Sequence, residues 1–338
     1  MRFPIAPQDM PIGGPRPLET ILNRRSPFRA VCPICQSEYA PRWEFIKRGI
    51  SLTCGCAGGV SSTQNREVAG FIRQLGVDLV TEYPVGNKRF DIFVPSCNLL
   101  IELQGLHWHS QIGARQRDRE KYGVAVQAGY QFMAFFEDEW RHAPEKVKAL
   151  IHNRLGLVHS IKLRPPQCGI HPVPSPEADP FYDRFHYIGP CRPKVSYGAF
   201  LRDRLVACIS FSHPTRQSRH PWELVRMASD PEYRVHGIWS KLLKIFCTEY
   251  RPESIVSFSD NRLFSGGVYE RIGFSYDGDV PPDYYWVKGQ RRFHKSGLRK
   301  KGEERVSGLT EAQLREAQGY RKIWDLGKKR WVFRWADD

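Results

Sequence analysis

Between Arg89 and His109 the chain reads RFDIFVPSCNLLIELQGLHWH, and five side chains in it, Asp91, Glu102, Gln104, His107 and His109, are of types that do chemistry. Two apolar runs flank Pro95, Ser96, Cys97 and Asn98, residues suited to a turn, so the stretch is expected as a hairpin in which Val94 pairs with Leu99. That register sets Asp91 opposite Glu102. Cross-strand partners lie roughly 4.5–5.5 Å apart, and two carboxylates so placed in an apolar sheet repel each other. A divalent cation between them removes the conflict, and Mg²⁺ or Mn²⁺, which favour oxygen ligands, is the expected occupant. Gln104 shares the face of Glu102 by the two-residue period. His107 and His109 follow the strand end, where an imidazole can exchange protons with water near neutral pH.

A second constellation is built from sulfur. Cys32 and Cys35 form a CxxC pair and Cys54 and Cys56 a CxC pair, within CPICQSEYAPRWEFIKRGISLTCGC. Two knuckles that each present two thiolates suit a structural, tetrahedral Zn²⁺; the tight second pair leaves partial coordination, isolated thiols or a disulfide as alternatives. Arg42, Lys47 and Arg48 around the knuckles could touch phosphates or serve structure alone.

The elements that must position these groups follow from the pattern around them. A helix is expected over SSTQNREVAGFIRQLG, capped by Ser61, Ser62 or Thr63, with Val68, Phe71, Ile72 and Leu75 on its apolar side, Glu67 in its first turns and Gly76 as its stop. After the hairpin come a helix from about Arg115 to Gln127, the strand QFMAFF, and Glu137, Asp138 and Glu139 as a helix start that complements the dipole. Helix, hairpin, helix and strand in that order build a small mixed sheet with flanking helices.

These residues carry a resemblance. The core from Asp91 through Glu102, Leu103 and Gln104 resembles the PD-(D/E)XK nuclease fold. The continuation GLHWHS, then Asp118 to Lys121, then AGYQFMAFFEDEW, is similar to its phage and homing-type branch, related to very-short-patch repair endonucleases, over about residues 30 to 156. The resemblance implies Glu67, Asp91, His109 and Asp118 as the catalytic constellation. It puts Glu102 and Gln104 at the acid-x-Gln positions, with Asp91 and Glu102 as the Mg²⁺ ligands. His107 falls where that branch often has Tyr and is a spectator or a second helper.

Further along, strand and helix patterns alternate: a hairpin of Val195 to Phe200 and Leu205 to Ser212 across Arg202 and Asp203, a strand from Trp222 to Met227, a helix from Gly237 to Tyr250, a strand from Ile255 to Ser259 and a helix from Ser265 to Ile272. This order, with SFSDNRLFSGGVYERIGF at its close, resembles the GNAT acetyltransferase fold, more narrowly the variant joined to phage homing-type nucleases and related to the adenine-modifying Mom proteins. In that fold a (Gln/Arg)-x-x-Gly-x-(Gly/Ala) turn takes the cofactor diphosphate on backbone amides. Arg234 and Gly237 are kept, but Trp239 stands where a small residue is needed, which weighs against acetyl-CoA. Ser259, Asp260 and Tyr269 are the polar candidates for transferase chemistry.

The fold expected is multidomain α/β (α+β). Residues 1–29 form a flexible basic arm, 30–60 a zinc ribbon and 61–157 the restriction-endonuclease-like domain. A Pro-rich linker follows at 158–179, then the GNAT-like domain over 180–302 and a C-terminal helix and hairpin over 303–338, with Gly327 at the hairpin turn. Near the end, YYWVKGQRRFHKSGLRKKG interleaves aromatics with Lys288, Arg291, Arg292, Lys295, Arg299, Lys300 and Lys301, which reads as a DNA-contacting segment.

Charge bounds the partners. Lys and Arg number 51 against 36 Asp and Glu, a formal net charge of +15, which favours a polyanion, double-stranded DNA first. No apolar run reaches the roughly 20 residues a membrane span needs, the first residues lack the core of a signal peptide, and nine unevenly spaced cysteines argue against a secreted disulfide framework. A cytoplasmic protein is expected, and the resemblance implies a phage or prophage context in a bacterial host. The leading expectation is a metal-dependent DNA endonuclease of the homing or mobile-element kind. The alternatives are a DNA-modifying acyltransferase, a restriction or repair nuclease of the same fold, and a non-catalytic DNA-binding protein.

Overall fold

The computed structural model describes residues 5, 10–11, 14–33, 36, 38–47, 52, 62–214, 218–306 and 308–335. The chain divides into two compact units, Met1–Leu103 with Val124–Tyr130, and Gln104–Gly123 with Gln131–Asp338. Its architecture is mixed α and β throughout.

In the first unit, short strands β1 (Arg16–Pro17), β2 (Ala30–Val31) and β3 (Glu38–Tyr39) form an antiparallel sheet, followed by helix α1 (Trp43–Lys47). Ile5, Ile21, Phe28, Ala30, Trp43 and Ile46 bury together beneath it. For the described residues of 1–29, the expectation of a flexible arm is thereby corrected. Ile5, Ile21 and Phe28 follow no helix or strand period, yet contacts such as the bond from the Ile5 N–H to Ile21 O bring them into one small core. Cys32 is buried in this region, while Cys35, Cys54 and Cys56, and with them the expected zinc site, lie outside the described residues.

Helix α2 (Thr63–Gln74) starts where Ser62 Oγ accepts the Asn65 N–H at 3.1 Å, and it buries Val68, Ala69 and Ile72. Strands β4 (Val80–Val85), β5 (Lys88–Val94) and β6 (Leu99–Gln104) then run antiparallel. The β5–β6 register is Val94↔Leu99, Phe93↔Leu100 and Ile92↔Ile101, as the turn residues require. A 3-10 turn over Pro95–Cys97 makes the connection, and Asn98 closes it in the left-handed region (φ 50), its Nδ2 donating to Gly129 O at 3.0 Å.

The second unit opens with α3 (Leu106–His109) and the first ten residues of α4 (Ala114–Gln127), whose last turn belongs to the first unit, then β7 (Gln131–Phe136), α5 (Glu137–His142) and α6 (Pro144–Arg154). Strand β8 (Ile161–Leu163), strand β9 (Gly169–Pro172) and helix α7 (Ser175–Phe185) come next. Residues 158–179 are therefore not a linker. The prolines fall where backbone N–H groups are dispensable: Pro165 and Pro166 in a 3-10 turn, Pro172 at the end of an edge strand, and Pro174 and Pro176 at the start of α7.

The large sheet contains β10 (Val195–Leu201), β11 (Arg204–Ser212), β12 (Trp222–Ser229), β14 (Ser254–Asp260), β15 (Ser275–Val280) and β19 (Lys328–Arg334) with β9, in the order β15-β19-β14-β12-β11-β10-β9. Strand β13 (Tyr233–Val235) pairs with β8 beside it. Helix α8 (Ile238–Tyr250) covers one face, burying Leu242, Leu243, Phe246 and Cys247 against Phe211, Leu224 and Ile255, with the Phe211 and Phe246 rings stacked at 3.7 Å. Short helix α9 (Gly267–Arg271) follows β14.

Three strands, β16 (Tyr284–Lys288), β17 (Arg291–His294) and β18 (Arg321–Trp324), make a separate sheet, with α10 (Glu311–Ala317) preceding β18. The expected terminal hairpin is thus also corrected: β18 and β19 are consecutive in sequence but belong to different sheets. Gly327, between them, has φ +78, and a Cβ there would stand 2.5 Å from Val280 O. The glycine serves a close backbone crossing, not a hairpin turn.

Candidate functional site

The residues with catalytic chemistry fall into three groups. In the first unit, the β5–β6 ladder reaches its last paired step at Ile92↔Ile101. Beyond it, Glu102 Oε1 accepts the Asp91 N–H at 2.9 Å and Asp91 Oδ2 accepts the Leu103 N–H at 2.7 Å. Each carboxylate is therefore held by the backbone of the opposing strand's end, which offsets part of the repulsion expected from the register. Glu102 is buried and Asp91 half-buried. Glu67 lies exposed on α2, which packs against β5.

At the start of the second unit, Gln104 ends β6, buried, with its Oε1 lacking a hydrogen-bond partner in the protein. His109 Nδ1 is 2.8 Å from Asp118 Oδ2. With the proton on Nδ1, the carboxylate orients the ring and leaves Nε2 as the proton acceptor. His107 Nε2 is 3.4 Å from Gln111 Nε2 instead. Among the described residues, no three His, Cys, Asp or Glu side chains converge as a metal-holding group.

Glu137, Asp138 and Glu139 do start a helix, α5, but each also has a specific partner. Glu137 Oε2 accepts the Leu106 N–H at 3.0 Å, so it holds the start of the short helix that carries both histidines. Asp138 pairs with Arg292 at 2.6 Å, and Glu139 pairs with Arg292 at 2.9 Å and Arg262 at 3.1 Å. Both guanidinium groups lie over the Phe136 ring, at 3.9 and 4.3 Å. Burial alone would push the Glu139 carboxyl up, but Arg262 and Arg292 hold it below its ordinary value. Arg262, 3% exposed, reaches Asp260 as well, at 3.3 Å. The run of three acids in FFEDEW carries no local mark of partners more than a hundred residues away.

The basic segment divides. Arg292 is committed to α5, Lys295 Nζ pairs with Asp283 at 2.6 Å, and Lys300 Nζ donates to Leu309 O. Lys288, Arg291, Arg299 and Lys301 are exposed.

The third group surrounds a cavity in the large sheet. Strands β12 and β14 run parallel and pair only at Trp222↔Ile255 and Glu223↔Val256, then part. The gap opens into a cavity of about 580 Å³ whose lining includes Glu223, Arg226, Trp239, Ser259, Asp260 and Tyr269. Helix α6 contributes Leu150, Asn153 and Arg154 to the same wall. Tyr269 Oη lies 3.0 Å from Ser257 Oγ, and burial pushes its phenol up, so it stays protonated. Ser259 Oγ accepts from Trp331 Nε1 at 2.9 Å, and Asp260 is held by Arg262. His186, also in the wall, is kept neutral: burial first, then Arg226 and Lys146, hold its imidazole down to about 3. The Ile188 N–H donates to its Nδ1 at 3.2 Å, leaving the ring proton on Nε2. Glu223 and the α6 residues were not among the sequence candidates. The splay that gathers them is a tertiary feature with no local signature.

Within the second unit, residues 161–274 match the sequence model of the acetyltransferase (GNAT) family. Among solved structures, the chain is similar to a GNAT family acetyltransferase from Elizabethkingia anophelis with acetyl-CoA bound (13% identity, 50% of this chain and 99% of that one, TM-score 0.31). It is also similar to the ribosomal-protein-S18-alanine N-acetyltransferase of Escherichia coli (12%, 51% and 96%, TM-score 0.32). A third is the catalytic domain of the homing endonuclease I-Bth0305I (23%, 29% and 97%, TM-score 0.26). No curated protein matches. No helix among the described residues is long and apolar enough to cross a membrane.

Proposed function

We propose that the chain is an acyl-CoA-dependent acyltransferase that works in the opening between β12 and β14 on a nucleic-acid acceptor. The observation that carries this reading is the parting of those two parallel strands after Glu223↔Val256, inside the segment matched by the acetyltransferase family. The residues present fit the cofactor. Gly237, at the start of the 13-residue helix α8, has φ +71 and open space where a Cβ would stand, so its backbone is approachable. The objection from the bulk of Trp239 weakens because its ring packs against the domain core. The amides at the α8 start, with exposed Arg234 and Lys241, would hold the diphosphate.

Bound there, the thioester supplies an activated acyl carbonyl. Tyr269 Oη, kept protonated by burial, is the cavity's proton donor. Glu223, at the last paired step of the strands, is positioned to take a proton from the acceptor. The formal charge of +15 supports a polyanionic acceptor. Isothermal titration with acetyl-CoA tests the cofactor: saturable heat is expected, and no heat at millimolar concentration overturns the reading. Thiol release in the presence of DNA should fall roughly 100-fold or more in Tyr269→Phe, with the substrate KM little changed.

A second reading, metal-dependent phosphodiester hydrolysis of double-stranded DNA by a PD-(D/E)XK-like site, is favoured by one observation, the register that leaves Asp91 and Glu102 at opposing strand ends. Their hard oxygens suit Mg²⁺, which would neutralise phosphate charge and activate water. Mg²⁺-dependent nicking of plasmid DNA that persists at the parental rate in both Asp91→Asn and Glu102→Gln would sink it.

A further inference from the structure

The three-stranded sheet β17-β16-β18 has two unlike faces. On one, Tyr285, Val287 and Ile323 pack against Leu106 and Phe136. The other face follows from the register, in which Lys288 opposes Arg291, Trp286 opposes both Phe293 and Lys322, and Tyr284 opposes Trp324. Rings and cations therefore alternate across it. Lys288 Nζ lies 5.0 Å from the Tyr320 ring centre and Lys322 Nζ 5.0 Å from that of Tyr284. Trp286 at the centre is fully covered by its neighbours, whereas Phe293 is exposed (37%), as are Lys288 and Arg291.

At the edge strand the pattern continues onto the helices that carry the histidine. Arg115 of α4 stacks over Trp324 at 4.2 Å, and α3 packs against β18. Asp118 lies three residues beyond Arg115, and Trp108, between the two histidines, is 72% exposed. Its ring meets that of His107 edge-on at 5.1 Å and otherwise stands open beside the His109–Asp118 pair.

We propose that this face binds a single strand of nucleic acid and leads it over Trp324 and Arg115 to the His109–Asp118 pair. Rings on a flat sheet stack only with bases whose faces are free, which a duplex does not offer, while the interleaved cations track phosphates without reading sequence. The inference rests on the nucleic-acid partner that both readings share and not on acyl transfer; its end point is the His109–Asp118 pair, not the opening between β12 and β14. Sequence pattern alone draws a different surface, because Arg292 and Lys295 are held in ion pairs and Lys322 comes from a distant strand.

The experiment is fluorescence anisotropy of the full chain with labelled dT15 and with the dT15·dA15 duplex, in chelator, from 50 to 200 mM KCl. The single strand should bind at least about tenfold more tightly than the duplex. Phe293→Ala with Tyr320→Ala should weaken dT15 binding by about 5- to 100-fold, the loss of a base stack or two. Lys288→Gln with Arg291→Gln should reduce the slope of log affinity against log salt by about 0.7 per charge removed. Both pairs should keep the parental thermal midpoint within a few degrees. Duplex bound as tightly as the strand, or ring variants that bind dT15 like the parent, overturns the inference while the nucleic-acid acceptor stands. No binding of either probe at 50 mM salt overturns both.

Discussion

Two places in this molecule end a run of strand pairing beside an acidic side chain, and they do so with opposite results. In the hairpin β5–β6, the strands leave their ladder at Asp91 and Glu102, and each carboxylate takes a backbone N–H from the other strand's end, at 2.9 and 2.7 Å. The gap is closed. In the parallel pair β12–β14, the strands part at Glu223, and Ser257 Oγ reaches across to Leu224 O at 2.8 Å. Beyond that bond the gap stays open as the cavity. A short local turn forces the two ends of a hairpin together, whereas a parallel pair is joined through the distant crossover helix α8, so its far ends are free to diverge. The same need, to satisfy backbone groups where a ladder stops, gives a sealed acid pair in one place and a ligand-sized opening in the other.

The largest effect is expected where the open end is braced. Arg262 holds Asp260 at the end of β14 and Glu139 on α5, so Arg262→Met leaves buried charge without its partner and should destabilise the second unit by about 3–5 kcal/mol. Urea unfolding followed by Trp fluorescence measures it. A loss below about 1 kcal/mol would mean that the open end needs no brace. In the hairpin, Glu102→Ala removes the acceptor of the Asp91 N–H and should cost about 1–3 kcal/mol, with hydrogen exchange accelerating at the Asp91 amide ahead of its neighbours. Ser257→Ala is the counterpart at the parallel pair. It leaves Leu224 O without its side-chain donor and should cost about 1 kcal/mol, less than Glu102→Ala because a neutral hydroxyl bond replaces a charged one. Equal losses in the two variants would remove the distinction between sealed and open ends.

This contrast also sets what could be read from sequence. The hairpin register followed from Pro95 to Asn98 and the alternation around them, so the positions of Asp91 and Glu102 were legible to the residue. From Val195 to Ile272 most elements were legible one by one, including the turn at Arg202 and Asp203 and the helix after Gly237, because each has its own local period and punctuation, whereas the short strands β8, β9 and β13 and helix α7 were not. Their assembly was not. Strand β19 inserts between β14 and β15 from the far end of the chain, the prolines of 158–179 sit at tolerated positions within structure, and Glu223 becomes a cavity residue only because its partner Val256 comes from a strand joined to it through the distant crossover helix α8. Likewise the three acids of α5 looked like dipole complements, since nothing near them in sequence marks Arg262 and Arg292 as partners.

The acid pairing on α5 gives the smallest and most specific test of the brace. Burial by itself would raise the Glu139 pKa, but the two guanidinium groups and their hydrogen bonds bring it below the ordinary 4.5. A carboxyl whose folded pKa is depressed contributes stability that is fully present above its unfolded pKa and is lost as pH falls through the folded value. The wild-type chain should therefore lose stability progressively as pH drops below about 4.5, and Glu139→Gln should flatten that part of the curve while starting from a lower plateau at pH 7. Thermal midpoints across pH 3 to 7 for both proteins measure the difference. If the two curves stay parallel through the acid limb, Glu139 is not titrating against Arg262 and Arg292, and the brace at the open end of β14 rests on Asp260 alone.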